Sequence, residues 1–254
     1  AFGVPDGSID PFRLIRSNVE EGEACGSQFL PHRQVFALEL DQGRVCGLRA
    51  RDPRSGEEFH FYCRWIVNAT GVWAGRIAQM AGIGLEIIPS KGSLVVLNQR
   101  LVNTVVNRCR PPTSGDILVP NGPASIIGTT SQAVPEIDAP TVEEWEVDLL
   151  LSEGEKLIPQ LGRTRAIRAY AGIRPLMGAR EENQDGRKIS RDFLLVDHGE
   201  RDARKGLISI TGGASSACVG RTPRTSTVPS RAMQRIRSEG VVMVENDGTV
   251  GLVN

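Results

Sequence analysis

No two of the five cysteines (Cys25, Cys46, Cys63, Cys109, Cys218) stand at CxxC spacing. A paired-cysteine metal site and a disulfide framework are therefore not expected, and the cysteines read as reduced thiols of an intracellular protein. His32, His60 and His198 lie far apart, with no cysteine or histidine at ligand spacing, so no metal site is expected either. Thirty basic and thirty acidic residues cancel, which leaves no net field to draw the chain to nucleic acid or an anionic membrane. No apolar run approaches the roughly 20 residues needed to cross a bilayer. Neither a signal-peptide pattern nor an initiator methionine stands at Ala1-Phe2-Gly3, as expected of a piece of something longer. No Ser-His-Asp or Cys-His arrangement and no close carboxylate pair points to hydrolysis. G-x-G-x-x-G is missing as well: the nearest approach, Gly82-Ile83-Gly84, has Ile87 where the third glycine belongs.

What is present is organised around Trp65-Ile66-Val67-Asn68-Ala69-Thr70-Gly71-Val72-Trp73. An apolar run reaches Asn68, a Thr-Gly break comes next, and Ala74, Ile77, Ala78 and Ala81 then recur at helical spacing. A strand, a glycine turn and a helix in succession make a junction where backbone amides can face a ligand phosphate or ribose. Upstream, Asp10-Pro11 opens a helix with Phe12, Ile15 and Val19 on one face and Gly26 as its stop. The period then changes to two. Residues 34–40, 44–51 and 57–63 read as a three-stranded meander turned at Asp41-Gln42-Gly43 and Pro53-Arg54-Ser55-Gly56.

Downstream, residues 86–89, 93–98, 103–108, 116–119 and 125–128 read as strands punctuated by Pro111-Pro112 and Pro120-Asn121-Gly122-Pro123. A helix is expected from Thr141 to Ile158. Thr141 and Glu144 form its capping box, Val147, Leu150, Leu151 and Ile158 its buried side, and Pro159 its end. Residues 166–171, 193–197 and 207–211 complete the strands around a polar segment, 180–187. At 254 residues the chain is long enough for one large domain or two small ones. From Ala214 onward the apolar period vanishes. Arg221 to Arg237 holds five arginines and no acid, with many Ser, Thr and Pro, so this tail reads as poorly ordered.

Three short stretches carry candidate chemistry. Pro89-Ser90-Lys91-Gly92-Ser93 sets a lysine at the mouth of an apolar strand. Ala171-Gly172-Ile173-Arg174-Pro175-Leu176 fixes an arginine between a glycine and a proline, and Ile189-Ser190-Arg191-Asp192-Phe193 sets another at a strand start. A guanidinium's planar fork suits phosphate or carboxylate, and it cannot serve as a base because it keeps its proton. A surface or interdomain ion pair is the plain alternative for each arginine. Gly212-Gly213 ends a strand where a flat ligand can approach the backbone. Thr129-Thr130 offers hydroxyls, or is simply strand sequence.

Taken together, Val4-Pro5-Asp6-Gly7-Ser8-Ile9-Asp10-Pro11-Phe12-Arg13, Val67-Asn68-Ala69-Thr70-Gly71-Val72-Trp73, Lys91-Gly92-Ser93, Ile127-Gly128-Thr129-Thr130, Tyr170-Ala171-Gly172-Ile173-Arg174-Pro175-Leu176, Ser190-Arg191-Asp192 and Ile210-Thr211-Gly212-Gly213 resemble the FAD-dependent glycerol-3-phosphate dehydrogenases, in that family's order. Asn107-Arg108-Cys109-Arg110-Pro111-Pro112, Asp116-Ile117-Leu118-Val119-Pro120, Val196-Asp197-His198 and Leu94 most resemble the catalytic (A) chain of the anaerobic, quinone-linked branch.

The resemblance implies an α/β fold of mixed α+β character: part of a Rossmann-like FAD-binding domain with a β-meander, plus a mixed-sheet substrate domain. It implies residues 1–82 as the partial FAD domain, 83–206 as the substrate domain, 207–213 as a strand returning to the flavin and 214–254 as an atypical tail. It implies FAD held by Val35, Ala69, Thr70, Gly71, Trp73, Gly172, Gly212 and Gly213. Glycerol 3-phosphate would be held by Arg174, Arg191, Lys91 and Thr129, with Arg174 as the catalytic residue beside the flavin and Arg191 on the phosphate. Companion subunits linking to membrane quinone, and a cytoplasmic site peripheral to the inner face of the cell membrane, are implied too. Two departures stand out. The family's opening strand with its glycine-rich turn is not present, and Ala214-Ser215-Ser216-Ala217 replaces the family's Lys-Leu after Gly-Gly, a change that a shifted reading frame would explain. The resemblance leaves open a 2-hydroxy-acid or amine oxidase of the same superfamily, or a non-catalytic module that binds anions or docks subunits.

Overall fold

The computed structural model describes residues 2–4, 7–177, 193–212, 241–245 and 250–253. Helix α1 (Pro11–Ala24) begins at the predicted proline, yet none of its residues is buried, and Phe12 and Ile15 are 83% and 55% exposed. After β1 (Gln28–Leu30), the strands β2 (Gln34–Asp41), β3 (Arg44–Arg51) and β4 (Glu58–Tyr62) form the antiparallel meander in the predicted places. Its first turn is the pair Gln42 (φ 44°) and Gly43 (φ 80°). Two successive left-handed residues give the twist that a two-residue hairpin requires. Alternation then puts Val35, Leu38, Val45, Leu48 and Ala50 on one buried face.

Strand β5 (Trp65–Ala69) is buried along four of its five residues, and a single 3-10 turn, Gly71–Trp73, leads from it into α2 (Ala74–Met80). The inward residues Ala74, Ile77 and Ala78 are small or slim, so α2 packs closely against the meander's apolar face and β5.

Strand β6 (Ile88–Leu97) runs unbroken through Lys91-Gly92, where the sequence predicts one strand to end at Pro89 and another to begin at Ser93. The polar residues there need no solvent, because Ser93 and Lys91 find buried partners on the helix α3 that comes later in the chain (Glu144–Leu157). Next come β7 (Val106–Asn107), shorter than predicted, β8 (Ile117–Asn121), β9 (Ala124–Gly128) and β10 (Gln132–Ala133). Helix α3 starts later than predicted: Glu143 is its N-cap, and Glu146 Oε2 accepts from Glu143 N at 3.0 Å. The capping pair is therefore Glu143 and Glu146 rather than Thr141 and Glu144, since Pro140 through Val142 stay outside the helix. A 3-10 turn, Pro159–Arg163, comes after the helix as Pro159 dictates. The remaining elements are β11 (Ala166–Leu176), β12 (Phe193–Asp197), α4 (His198–Arg201), β13 (Leu207–Gly212), β14 (Val241–Glu245) and β15 (Val250–Val253).

These elements fall into two units. The first is built from Phe12–Ile88 and the strands after β11. Besides the meander it holds a six-stranded sheet ordered β1-β15-β14-β5-β13-β12, in which β13 and β14 flank β5 and run parallel to it. The second unit, mainly Pro89–Arg174, has the sheet β10-β6-β9-β8-β7 with β11 also paired to β6. Its core sets Val95, Leu97, Leu118 and Ile127 against Leu150 of α3 and Leu161 of the turn after it.

Two sequence-based boundaries shift. Strand β12 and helix α4 fall inside the segment assigned to the substrate domain, but β12 pairs along its whole length with β13 in the first unit. The tail, expected to lack regular structure, contributes the Val-rich strands β14 and β15, which pair with β5 and β1 respectively. Residues 214–240 lie outside the described part.

Candidate active site

In the second unit, Arg174 near the end of β11 reaches across β6 to the turn after β9. Its Nη2 donates to Thr129 Oγ1 at 2.6 Å and its Nη1 to the Thr130 carbonyl at 3.4 Å. The guanidinium lies against Gly92 of β6: a Cβ at that position would stand 2.7 Å from Arg174 Cζ and nearer still to an Nη atom. Beneath this platform sits Glu146, wholly buried on the inward face of α3. Its Oε1 accepts from the hydroxyls of Ser93 and Thr130, both at 2.8 Å, and its Oε2 from Lys91 Nζ at 2.8 Å and Glu143 N. Burial pushes the Glu146 carboxyl upward in pKa, but the donors from Lys91, Glu143, Thr130 and Ser93 together outweigh it and hold the group below its ordinary value. Thr130 Oγ1 also accepts from Ser93 N at 2.9 Å, tying β6 to the Thr129-Thr130 segment.

In the first unit, the parallel strands β14, β5 and β13 end on the same edge, with Glu245 opposite Ala69 and Ser209 opposite Asn68. Thr70-Gly71 and Thr211-Gly212 therefore both lie toward the carboxyl ends of neighbouring parallel strands, the edge where open α/β sheets bind ligands. Gly71 (φ 57°) and Gly212 (φ 80°) are left-handed there. A buried hydrogen-bond chain fixes the first of these turns. Asp202 Oδ2 lies 2.6 Å from His198 Nδ1, and His198 Nε2 lies 2.8 Å from Ser209 Oγ. Asn68 Nδ2 donates to Ser209 Oγ at 3.1 Å and to the Ala74 carbonyl, while Asn68 Oδ1 accepts from Thr70 Oγ1 at 2.7 Å. Burial lowers the His198 pKa, and the carboxylate of Asp202 only partly opposes it, so the imidazole is neutral at pH 7. With Nδ1–H donating to Asp202, Nε2 accepts the Ser209 hydroxyl proton, and every member is satisfied. No sequence spacing announces this Ser-His-Asp series. Ser209 is 0% exposed, so the series is a scaffold for the Thr70 turn and not a nucleophile.

The predicted residues fare differently. Arg174 and Thr129 meet directly, and Ala69, Thr70, Gly71 and Gly212 share one sheet edge. Trp73 closes the 3-10 turn that leaves that edge. Val35 is buried in the core beneath the meander, paired with Ala50, so only its backbone is left to meet a cofactor. Gly172 lies on β11 with open space around it. Lys91 is corrected: its ammonium is buried and engaged by Glu146 and the Thr141 carbonyl at 2.9 Å, which makes it a structural charge rather than a substrate contact. Arg191 and Gly213 lie outside the described residues.

The Arg108-Cys109-Arg110 motif is structural too. Both arginines bond the Glu153 carboxylate of α3, which hydrogen bonds from Lys156, Arg110 and Arg108 hold down to about 2. Glu146 is absent from the sequence-based set, although a signal for it exists. It stands four positions before Leu150 and eight before Gly154, on the one face of α3 that is buried. Among the described residues no group of three or more His, Cys, Asp or Glu is placed to hold a metal ion, and no helix is long and apolar enough to cross a membrane.

The family profile "DAO: FAD dependent oxidoreductase" matches residues 1–217. The A chain of anaerobic glycerol-3-phosphate dehydrogenase from Haemophilus influenzae is 45% identical over 215 residues, 84% of this chain and 38% of that protein. Its namesake from Escherichia coli is 44% identical over 215 residues, 84% of this chain and 40% of that one. Among solved structures, glycerol-3-phosphate dehydrogenase from Bacillus halodurans, complexed with FAD, matches with a TM-score of 0.55 and 25% identity over 72% of this chain and 35% of its own. The chain spans about two fifths of the length of the curated relatives it matches. With the profile running through both units, the chain belongs to the FAD dependent oxidoreductase family.

Proposed function

We propose that this chain supplies the substrate-holding part, and some of the cofactor-holding part, of a flavin-dependent dehydrogenase that oxidises sn-glycerol 3-phosphate to dihydroxyacetone phosphate. The observation that carries the substrate assignment is the 45% identity, spread over 84% of the chain, to a protein bearing that activity in its name. FAD, when bound, supplies the acceptor for the hydride leaving C2. The residues present fit it in part. Thr70-Gly71 and Thr211-Gly212 offer backbone at one sheet edge. Among the described residues, the buried Thr211 Oγ1 has no hydrogen-bond partner there, as a hydroxyl facing a cofactor would. No glycine-rich turn for the pyrophosphate occurs in the sequence.

In this reading the chain's own groups orient the substrate and balance its charge. Arg174, already braced by Thr129, donates further N–H bonds to the substrate, and Arg191 binds the phosphate. Electrons then pass through companion subunits toward membrane quinone, and the protein sits at the cytoplasmic face. A chimera tests the assignment: a glycine-rich opening segment from an FAD-containing relative is fused before Ala1. Turnover of glycerol 3-phosphate with a dye acceptor is expected. Turnover of glycine or a 2-hydroxy acid instead would overturn the substrate and favour an oxidase of the same family.

A further inference from the structure

The arrangement around Arg174 goes beyond a pair of contacts. The guanidinium is not merely near Gly92; it occupies the volume that any side chain at position 92 would fill. Gly92 is buried in the middle of an extended strand, where no left-handed conformation calls for glycine. Its lack of a side chain is therefore explained by the guanidinium and not by the backbone. The other side of the guanidinium is set by Thr129, whose hydroxyl accepts at 2.6 Å. Thr129 is held in turn, because the adjacent Thr130 is bound to Ser93 N and to the buried Glu146. A long, flexible arginine is thus pinned on two sides.

We propose that Gly92 and Thr129 are positioning residues for Arg174, the one by leaving the slot in which its guanidinium lies and the other by fixing its rotation there. The proposal rests on the reading of Arg174 as a substrate ligand. It adds that the guanidinium is held ready before substrate arrives, so little side-chain freedom is lost on binding.

The chain itself serves for the test, with two readouts. The first needs no ligand: the Arg174 Nε–Hε resonance, assigned by its disappearance in Arg174→Ala. Gly92→Ala should move it and speed its exchange with water, because the new methyl displaces the flexible end of Arg174 while the strand stays in place. The second is the dissociation constant for sn-glycerol 3-phosphate. Loss of an aligned charged contact should weaken binding about 10- to 100-fold. Gly92→Ala should act in that range, yet add nothing in an Arg174→Ala background, whereas a general packing defect would add in full. Thr129→Val should weaken binding and Thr129→Ser restore it, and this pair decides the matter if Gly92→Ala fails to fold. An unmoved Arg174 resonance, or additive effects in the double variant, would overturn the proposal. If Arg174→Ala binds like the unaltered chain, or the unaltered chain binds nothing at millimolar ligand, it is the substrate reading that fails, and the resonance still judges the positioning.

Discussion

Replacing Lys91 by methionine keeps the apolar stem and removes only the ammonium, and the surroundings of that ammonium set the cost. Glu146 is 0% exposed and Lys91 5%. Without Lys91, Glu146 Oε2 retains the Glu143 N–H alone, while Oε1 keeps the Ser93 and Thr130 hydroxyls. Breaking a buried pair by deleting one partner costs about 3–5 kcal/mol, because the other charge stays desolvated. Three surviving donors put the expected loss at the lower end, about 3 kcal/mol. Removing both charges behaves differently. In Lys91→Met/Glu146→Leu no charge is stranded, and the double variant should recover most of the loss, since apolar replacements of buried pairs are often neutral or stabilising.

Hydrogen exchange localises the effect to the unit concerned. A loss of about 3 kcal/mol should speed exchange of the β6 and β9 amides about 100-fold, with the meander amides unchanged. Exchange within about threefold of the unaltered chain, which is under about 0.7 kcal/mol, would refute the reasoning. So would a double variant as unstable as the single one.

Three further outcomes are expected. The folded state lowers the His198 pKa below the 6.5 of an unfolded histidine, so its contribution to stability is whole above about pH 6.5 and is lost as pH falls toward the folded value; urea midpoints should drop more steeply from about pH 7 to about pH 5 than those of His198→Gln, and parallel slopes would refute this. Gly206 (φ 88°) sits where an added Cβ would overlap the Val45 carbonyl oxygen, so Gly206→Ala should destabilise the first unit by more than about 2 kcal/mol, and an unchanged denaturation midpoint would count against the geometry. The chain expressed alone should retain little FAD, because the glycine-rich pyrophosphate turn is missing from it, and stoichiometric flavin absorbance in the purified chain would contradict that.

The meander of the first unit is legible in the sequence almost to the residue, for a physical reason. Strands β2, β3 and β4 alternate buried and exposed positions, and Asp41-Gln42-Gly43 admits the left-handed pair that the hairpin needs. Local preference and tertiary demand agree there. They part company in the second unit. Ser90-Lys91-Gly92 is polar enough to interrupt the predicted strands, yet it stays in a central strand because Glu146, more than fifty residues later, satisfies Lys91 and the neighbouring Ser93. The helix start moves for the same reason: Glu146 serves at once as the partner of Glu143 and as the buried anion, a double role that no local capping pattern encodes. Short apolar runs are likewise present in residues 241–245 and 250–253, but the arginine-rich stretch before them draws the tail as a whole toward disorder on composition.

The same division governs the site. Arg174 can be singled out because Pro175 restricts the backbone beside it, and arginine chemistry is narrow. Lys91 qualifies on equal grounds, a cation at a strand mouth, and its fate is the opposite. What separates the two is how each is anchored. Lys91 meets a fully buried carboxylate with its single ammonium, which takes that charge out of use for ligands. Arg174 donates to a hydroxyl and a carbonyl, which fix the plane of its guanidinium. Arg174 is also only partly buried, whereas Lys91 is 5% exposed. The contrast, invisible in sequence spacing, is the physical ground for reading Arg174 and not Lys91 as the residue that meets substrate.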